Sequence, residues 1–307
     1  MAQSLARNFT IRNVLLAGIL LMLAGDFMFA LNDAMGKWLV ASFSVGQVVF
    51  IRSIGAFIVL GPMIANQGTA KLFQMERPVL QSLRVVATTV DTALFYAAVV
   101  YLPLADVMSF YMAGPIYVAA LSHFLLGEKV GWRRWAAILV GFCGVLIILK
   151  PSSAAFSLSS MFALVGSIAF AFAIILSRRL RGTSDTTLVT WQTIGTLLVG
   201  AVMTIGAWRT PSALDFGAML LLGIVSCSAH LMITRALKLA PASTLAPLHY
   251  SLLLWAVIFG LAFFGDVPGP RILIGSAIVV LAGLFIFHRQ KVVETVVPPE
   301  NVPKGVN

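Results

Sequence analysis

The sequence predicts an all-α membrane protein of ten transmembrane helices, built as two inverted-topology five-helix repeats around a central cavity. Three observations predict it. The 307 residues are 60% hydrophobic and 10% charged, whereas a soluble domain carries about 25% charged residues. So few charges cannot cover a water-facing surface, so much of this one must face lipid. Ten apolar stretches of spanning character follow one another, with basic residues concentrated in alternate links. Finally, motifs of the first half return in the second.

A span needs about 20 mostly apolar residues. The first runs over Val14–Trp38. Its start, with Arg7 and Arg12 ahead of Val14–Leu23, has the pattern of a signal peptide, but nine further apolar segments follow, so it reads as an uncleaved span. The others run over Val45–Ala65, Pro78–Val100, Leu104–Leu126, Arg134–Leu149, Leu158–Ser177, Thr187–Trp208, Leu214–Leu237, Ala242–Phe264 and Ile272–Phe287. Pro, Gly, Ser or charged residues separate them, and Tyr101–Pro103 and Leu239–Pro241 are very short links. Residues 1–150 form the first repeat and 151–290 the second. The tail, 291–307, is polar and contains proline, and reads as a disordered cytoplasmic segment.

The charges test this map. Of the 21 Lys and Arg, fifteen fall in links on the side of the termini, four on the other side, and Arg52 and Arg84 lie within spans. The positive-inside rule then places both termini in the cytoplasm, in a cell (inner) membrane. A net charge of +10 would suggest nucleic acid in a soluble protein; here it lies between apolar segments and reads as topology, with the bilayer and not nucleic acid as partner. Cys143 and Cys227 sit in apolar runs and read as buried free thiols. Four histidines and two cysteines are scattered without metal-ligand spacing. No phosphate loop, His-Glu-x-x-His or Gly-x-Ser-x-Gly occurs, so no metal, cofactor or catalytic residue is expected. An intramembrane enzyme using Asp26 and Asp91 is disfavoured, because the run Leu23-Ala24-Gly25-Asp26 lacks the first glycine of the aspartyl-protease Gly-x-Gly-Asp pattern.

The repeat emerges on shifting the sequence by 138 residues. Pro103 falls on Pro241, Gly127 on Gly265, Glu128 on Asp266, Gly131 on Gly269 and Arg133 on Arg271. Further towards the N-terminus the shift grows: Ile54-Gly55 meets Ile194-Gly195 at 140, and Phe29-Ala30 meets Phe170-Ala171 at 141. Five spans per half is an odd number, so the second half crosses in the opposite sense. Inverted repeats mark secondary transporters, with the substrate near the midplane where the halves meet; a duplicated scaffold without transport is the alternative.

These residues resemble the drug/metabolite transporter superfamily in its ten-span EamA-type branch. The resemblance is carried by Asp33–Leu39, Gln47–Arg52, Tyr101–Asp106, Gly114-Pro115, Leu126–Gly131, Gly141–Val145 and Lys150-Pro151, then by Ala240–Ser243 and Gly265-Asp266, and covers about residues 14–288. One departure is Leu253, where the family has a proline in the ninth span; Pro247 lies earlier. The resemblance implies a secondary transporter exporting amino acids, aromatic or other apolar ones among them, and related metabolites, with the YddG-like exporters as the near group. The same fold carrying nucleosides, S-adenosyl compounds, carboxylates or cationic drugs stands as the alternative. The expected partners are a small-molecule substrate and the bilayer, and the chain acts as a monomer or homodimer.

Ionisable groups in mid-bilayer cost about 2.5–3.5 kcal/mol each on insertion scales, so they face the interior or a wet cavity. Asp26, Asp33 and Lys37 share one face of the first span; Asp33 and Lys37 form an ion pair, or Asp33 binds substrate or a proton. On the third span, Arg84, Thr88 and Asp91 share a face. Asp91 is either a functional carboxylate or the structural partner of Arg52. Ser226, His230 and Thr234 share a face of the eighth span, His249-Tyr250 lies in the ninth and Trp191-Gln192 in the seventh. Tyr111 and His249 correspond under the 138 shift. His230 and His249 are either hydrogen-bonded packing residues or ligands. Tyr96, Phe29 and Trp191 are candidate aromatic walls, suited to apolar side chains and ammonium groups. Pro115 and Pro247 interrupt helical hydrogen bonding and are candidate hinges. Lys37, Arg52 and Arg84 are candidate structural ion-pair partners.

Overall fold

The computed structural model describes residues 2–75, 77–114, 116, 117, 121, 131–149, 157–180, 182–239 and 246–296. Ten helices of two turns or more are described: α1 (Ala2–Val40), α2 (Val45–Gln67), α3 (Pro78–Val99), α4 (Leu104–Tyr111), α5 (Trp132–Leu149), α6 (Leu158–Arg179), α7 (Asp185–Met203), α8 (Ala213–Leu239), α9 (Ser251–Phe259) and α10 (Pro270–Val296). Among the described residues, six helical stretches are long and apolar enough to cross a bilayer: Leu16–Val40, Val45–Gln67, Pro78–Val99, Leu158–Ser177, Asp185–Met203 and Ala213–Ala236. Shorter apolar helices, Trp135–Ile147, Leu248–Phe264 and Pro270–Phe285, stand where the sequence predicts the fifth, ninth and tenth spans. Of the fourth, Leu104–Leu126, residues 104–114, 116, 117 and 121 are described.

Helix starts follow the capping residues. Ser44, Ser157 and Ser184 each accept a hydrogen bond from the backbone N–H three residues on, satisfying a donor the helix itself leaves free. Three boundaries differ from expectation. Helix α1 begins at Ala2, twelve residues before the predicted first span. The seventh span, predicted to reach Trp208, ends as a helix at Met203, where the Thr204 N–H bonds the Gly200 carbonyl and Gly206 adopts φ +77°. Helix α10 continues to Val296, into the predicted tail; 297–307 lie outside the described residues. The fourth and ninth spans are both irregular. Helix α4 stops at Tyr111, with a turn at Met112-Ala113 ahead of Pro115, itself outside the described residues; a proline has no N–H to continue the ladder. Pro247 lies in a 3-10 turn, Ala246–Tyr250, that leads into α9, and α9 ends in a π turn, Gly260–Phe264.

The side chains are distributed as lipid requires. Leu16, Leu20, Leu23 and Phe27, a helical stripe on α1, are exposed, while Asp26 is fully buried. Gln47, Ser53, Gln81, Arg84 and Thr88 are buried as well. Cys227 is buried as expected, but Cys143 is exposed. Its neighbour Phe142 is exposed too, because this side of α5 faces outward.

Packing repeats itself. Helix α1 packs on α8 and α9, and α6 packs on α3 and α4; α2 packs on α8, and α7 on α3. Each second pair is the first moved on by five helices. Two pairs, α2–α7 and α5–α10, map onto themselves, and both run antiparallel. Along α2–α7, Gly46 meets Met203, Ser53 meets Thr196 and Gln67 meets Thr187; along α5–α10, Gly144 meets Gly275 and Gly141 meets Ala282. Helices α2 and α8 approach closely at Gly55, against the Leu220 backbone, and at Gly223, against the Arg52 carbonyl. Gly195, which aligns with Gly55, lies against Val85 and Thr89 of α3.

Candidate functional site

The polar groups of the spans meet where α1, α2, α3, α4, α7 and α8 converge. Arg52 on α2 donates from Nη1 to the Tyr96 hydroxyl at 2.7 Å and from Nη2 to Ser226 Oγ at 2.6 Å, and its guanidinium lies 5.3 Å from the Tyr96 ring centroid. Asp33 on α1 accepts from Asn32 Nδ2 at 2.9 Å, and Asp91 on α3 accepts from the Tyr111 hydroxyl at 2.6 Å. Both carboxylates lie within electrostatic reach of Arg52. Phe95 meets Tyr96 and Tyr111 edge-on, and Phe170 of α6 flanks Tyr111. Asp33 and Tyr96 are buried, whereas Arg52, Asp91, His230 and Phe29 are partly exposed. These side chains bond or pack within the bundle and yet keep part of their surface open.

A second polar chain reaches this cluster from α3. Arg84 donates to Ser177 Oγ at 2.7 Å, to the Leu188 carbonyl at 3.0 Å and to Gln192 Oε1 at 3.1 Å. Gln192 Nε2 lies 3.1 Å from His230 Nε2, and His230 Nδ1 lies 2.9 Å from the Ser226 carbonyl. Phe29 meets the His230 ring at 4.6 Å.

Thus Asp33, Asp91, Tyr96, Tyr111, His230, Arg52 and Arg84 come together, with Phe29, Gln192 and Ser226, whereas Asp26, Trp191, His249, Tyr250 and Lys37 lie apart, and Pro115 lies outside the described residues. Asp26 lies between α1 and the start of α9, with Ser251 Oγ donating to Oδ2 at 3.2 Å and His249 Nδ1 2.9 Å from Oδ1. Trp191 is not a wall of the cluster; it donates to the Leu72 carbonyl and packs on Phe73. Tyr250 lies against Gly283. An apolar groove of about 220 Å³ beside α9, lined by Ala105, Leu253, Val257 and Ile272 among others, offers no charge to a polar substrate.

The expected ion pairs are rearranged. Lys37 pairs with Asp266 at 2.5 Å, over the Phe264 ring, and not with Asp33. Arg52 and Arg84 donate to neutral groups, and Asp91 bonds Tyr111 instead of Arg52. Asp266 and Lys37 are 229 positions apart, so no local spacing announces them. Because the pair is only partly exposed, Lys37→Met should lower stability by about 1–2 kcal/mol, and Lys37→Met with Asp266→Leu should recover most of it. Thermal unfolding of the two variants checks this.

The EamA-like transporter family profile matches residues 16–150 and again 157–288. The S-adenosylmethionine uptake transporter of Rickettsia prowazekii (strain Madrid E) is 26% identical over 265 residues, 85% of this chain and 89% of that protein. The riboflavin transporter of Vibrio cholerae serotype O1 is 27% identical over 277 residues, 88% and 93% of the two chains. A pseudopaline exporter of Pseudomonas aeruginosa is 26% identical over 285 residues, 91% and 99%. A crystal structure superposes with a TM-score of 0.63 at 17% identity, covering 91% of this chain and 99% of the other, a likeness of fold. With two profile matches that take in most of its length, on a bundle with polar groups inside and apolar ones outside, this multi-pass membrane protein is a small-molecule transporter that belongs to the EamA-like transporter family of the drug/metabolite transporter superfamily.

Proposed function

We propose that the protein is a secondary transporter working by alternating access, with an amino acid or a related metabolite that keeps an amino-acid head as its cargo. The observation that carries this is Arg52, a guanidinium bonded to neutral groups, with Asp33 and Asp91 nearby. A guanidinium holds a carboxylate by paired hydrogen bonds, and a carboxylate holds an ammonium group. Phe29, Phe95, Tyr96, Tyr111 and Phe170 suit an apolar or aromatic body. Residues 1–150 and 151–290 act as two inverted units, a reading supported by the antiparallel α2–α7 and α5–α10 pairs. In this reading the units rock about the cluster, with Pro115 and Pro247 as hinges and both termini, including the tail 291–307, in the cytoplasm of a cell (inner) membrane. Net export is the direction supported by the pseudopaline exporter among the relatives, and net uptake the one supported by the S-adenosylmethionine transporter.

A second reading, an S-adenosyl compound as cargo, is favoured by the relatives named for S-adenosylmethionine uptake. That molecule joins an amino-acid head to a planar base and suits the same cluster. Counterflow into proteoliposomes with labelled phenylalanine, tryptophan, S-adenosylmethionine, riboflavin and adenosine decides between them. The first reading expects exchange of an amino acid, the second of S-adenosylmethionine. Exchange of neither would sink both.

A further inference from the structure

The chain from Arg84 to Ser226 has a direction. A guanidinium only donates, so the side of Gln192 facing Arg84 Nη2 is its carbonyl, Oε1. The Gln192 amide NH2 therefore faces His230 Nε2, which must accept and carries no proton. At the other edge, Nδ1 faces the Ser226 carbonyl, which only accepts, so Nδ1 carries the proton. Hydrogen-bond polarity thus selects one tautomer. A second proton on Nε2 would set N–H against N–H; turning the Gln192 amide to relieve that would set its NH2 against Arg84. The charged groups within electrostatic reach of the ring are Arg52 on α2 and Arg84 on α3. From α1 it meets Phe29, and from α7 Gln192.

Both ring nitrogens are therefore spent on the protein, while the residue stays partly exposed. What it leaves open is carbon and a π face, beside Phe29. We infer that Gln192, oriented by Arg84, holds His230 as the neutral Nδ1–H imidazole, and that His230 meets the cargo as an aromatic wall, neither carrying a proton nor bonding the cargo's polar head. Arg84 and Gln192 are positioning residues, and His230 is a specificity residue for the planar or apolar part of the cargo. The second half of this inference rests on the transport reading above; the first does not.

Two measurements test it. In nitrogen-15 NMR of the histidine-labelled full chain in lipid nanodiscs, the His230 signals, identified by their loss in His230→Phe, should remain those of a neutral Nδ1–H ring between about pH 5 and 8. In Gln192→Glu a carboxylate accepts from both Arg84 and Nε2–H, so the ring should become an imidazolium within that range. Should Gln192→Glu fail to fold, Gln192→Leu removes the constraint and should give mixed tautomers. An Nε2–H ring in the wild type, or signals unmoved by either variant, would overturn the assignment whether or not any transport is found. In counterflow with phenylalanine and S-adenosylmethionine as probes, His230→Phe should keep the wild-type KM, while His230→Ala and His230→Gln should raise it about tenfold. Full function in His230→Gln with loss in His230→Phe would overturn the wall. Absence of counterflow of either probe in the wild type would instead refute both cargo readings above.

Discussion

Arg52→Leu should abolish exchange, lowering the initial counterflow rate at least about a hundredfold per folded molecule. The guanidinium makes two hydrogen bonds, to Tyr96 and Ser226 on different helices, and hydrogen bonds to charged groups contribute about 1.5–3 kcal/mol each. Its removal leaves both acceptors without their donor and leaves Asp33 and Asp91 without the cation in their reach. The cargo carboxylate also loses its paired donors. Each 1.36 kcal/mol is tenfold in rate, so losing one such contact together with the cargo contact accounts for the hundredfold. Arg52→Lys keeps the charge as a single ammonium without the planar fork, and should retain activity lowered about tenfold. Counterflow rates normalised to monodisperse protein measure both. A fully active Arg52→Leu would remove the cluster from the transport path.

The second large effect lies in the scaffold. A Cβ on Gly223 would fall on the Arg52 carbonyl and within 2.7 Å of the Ala56 nitrogen. These are backbone atoms of a helix, which cannot step aside as a flexible side chain can. Gly223→Val should therefore part α2 from α8, at a cost of about 1–3 kcal/mol or more, and move Arg52 with its helix. Gly55→Leu should act alike against the Leu220 backbone. Gly217, on the same helix as Gly223, has open space around it, so Gly217→Ala should be neutral or stabilising by up to about 1 kcal/mol. Thermal unfolding in detergent and the monodisperse yield compare the three. Equal midpoints for Gly223→Val and Gly217→Ala would show that the close approach is not needed.

The sequence disclosed helices better than their partners. Apolar run length marked α2, α3, α6 and α8, and the end of α1, to within a few residues, because lipid-facing and buried positions are both apolar and the whole span stands out; the polar start of α1, before Val14, carries no such mark. The same uniformity hides which side of a helix faces inward, so Cys143 read as buried and is exposed. Only polar stripes mark a face. Arg84, Thr88 and Asp91 on α3, and Ser226 and His230 on α8, were legible for that reason. Contacts between distant spans were not. Lys37 has Asp33 four residues away, yet its partner is Asp266. Trp191 and Gln192 are adjacent, and successive helix positions point about 100° apart. One therefore reaches the Leu72 carbonyl and the other the Arg84–His230 chain. The role of Gln192 becomes readable only once donors and acceptors are placed side by side.

Isothermal titration of the exchanged compound into the purified chain tests the central claim most directly. One molecule should bind per chain in the wild type, with binding lost in Arg52→Leu and kept in Gly217→Ala. Undiminished binding in a folded Arg52→Leu variant would mean that the cargo is held elsewhere and that the Arg52 cluster only holds helices together.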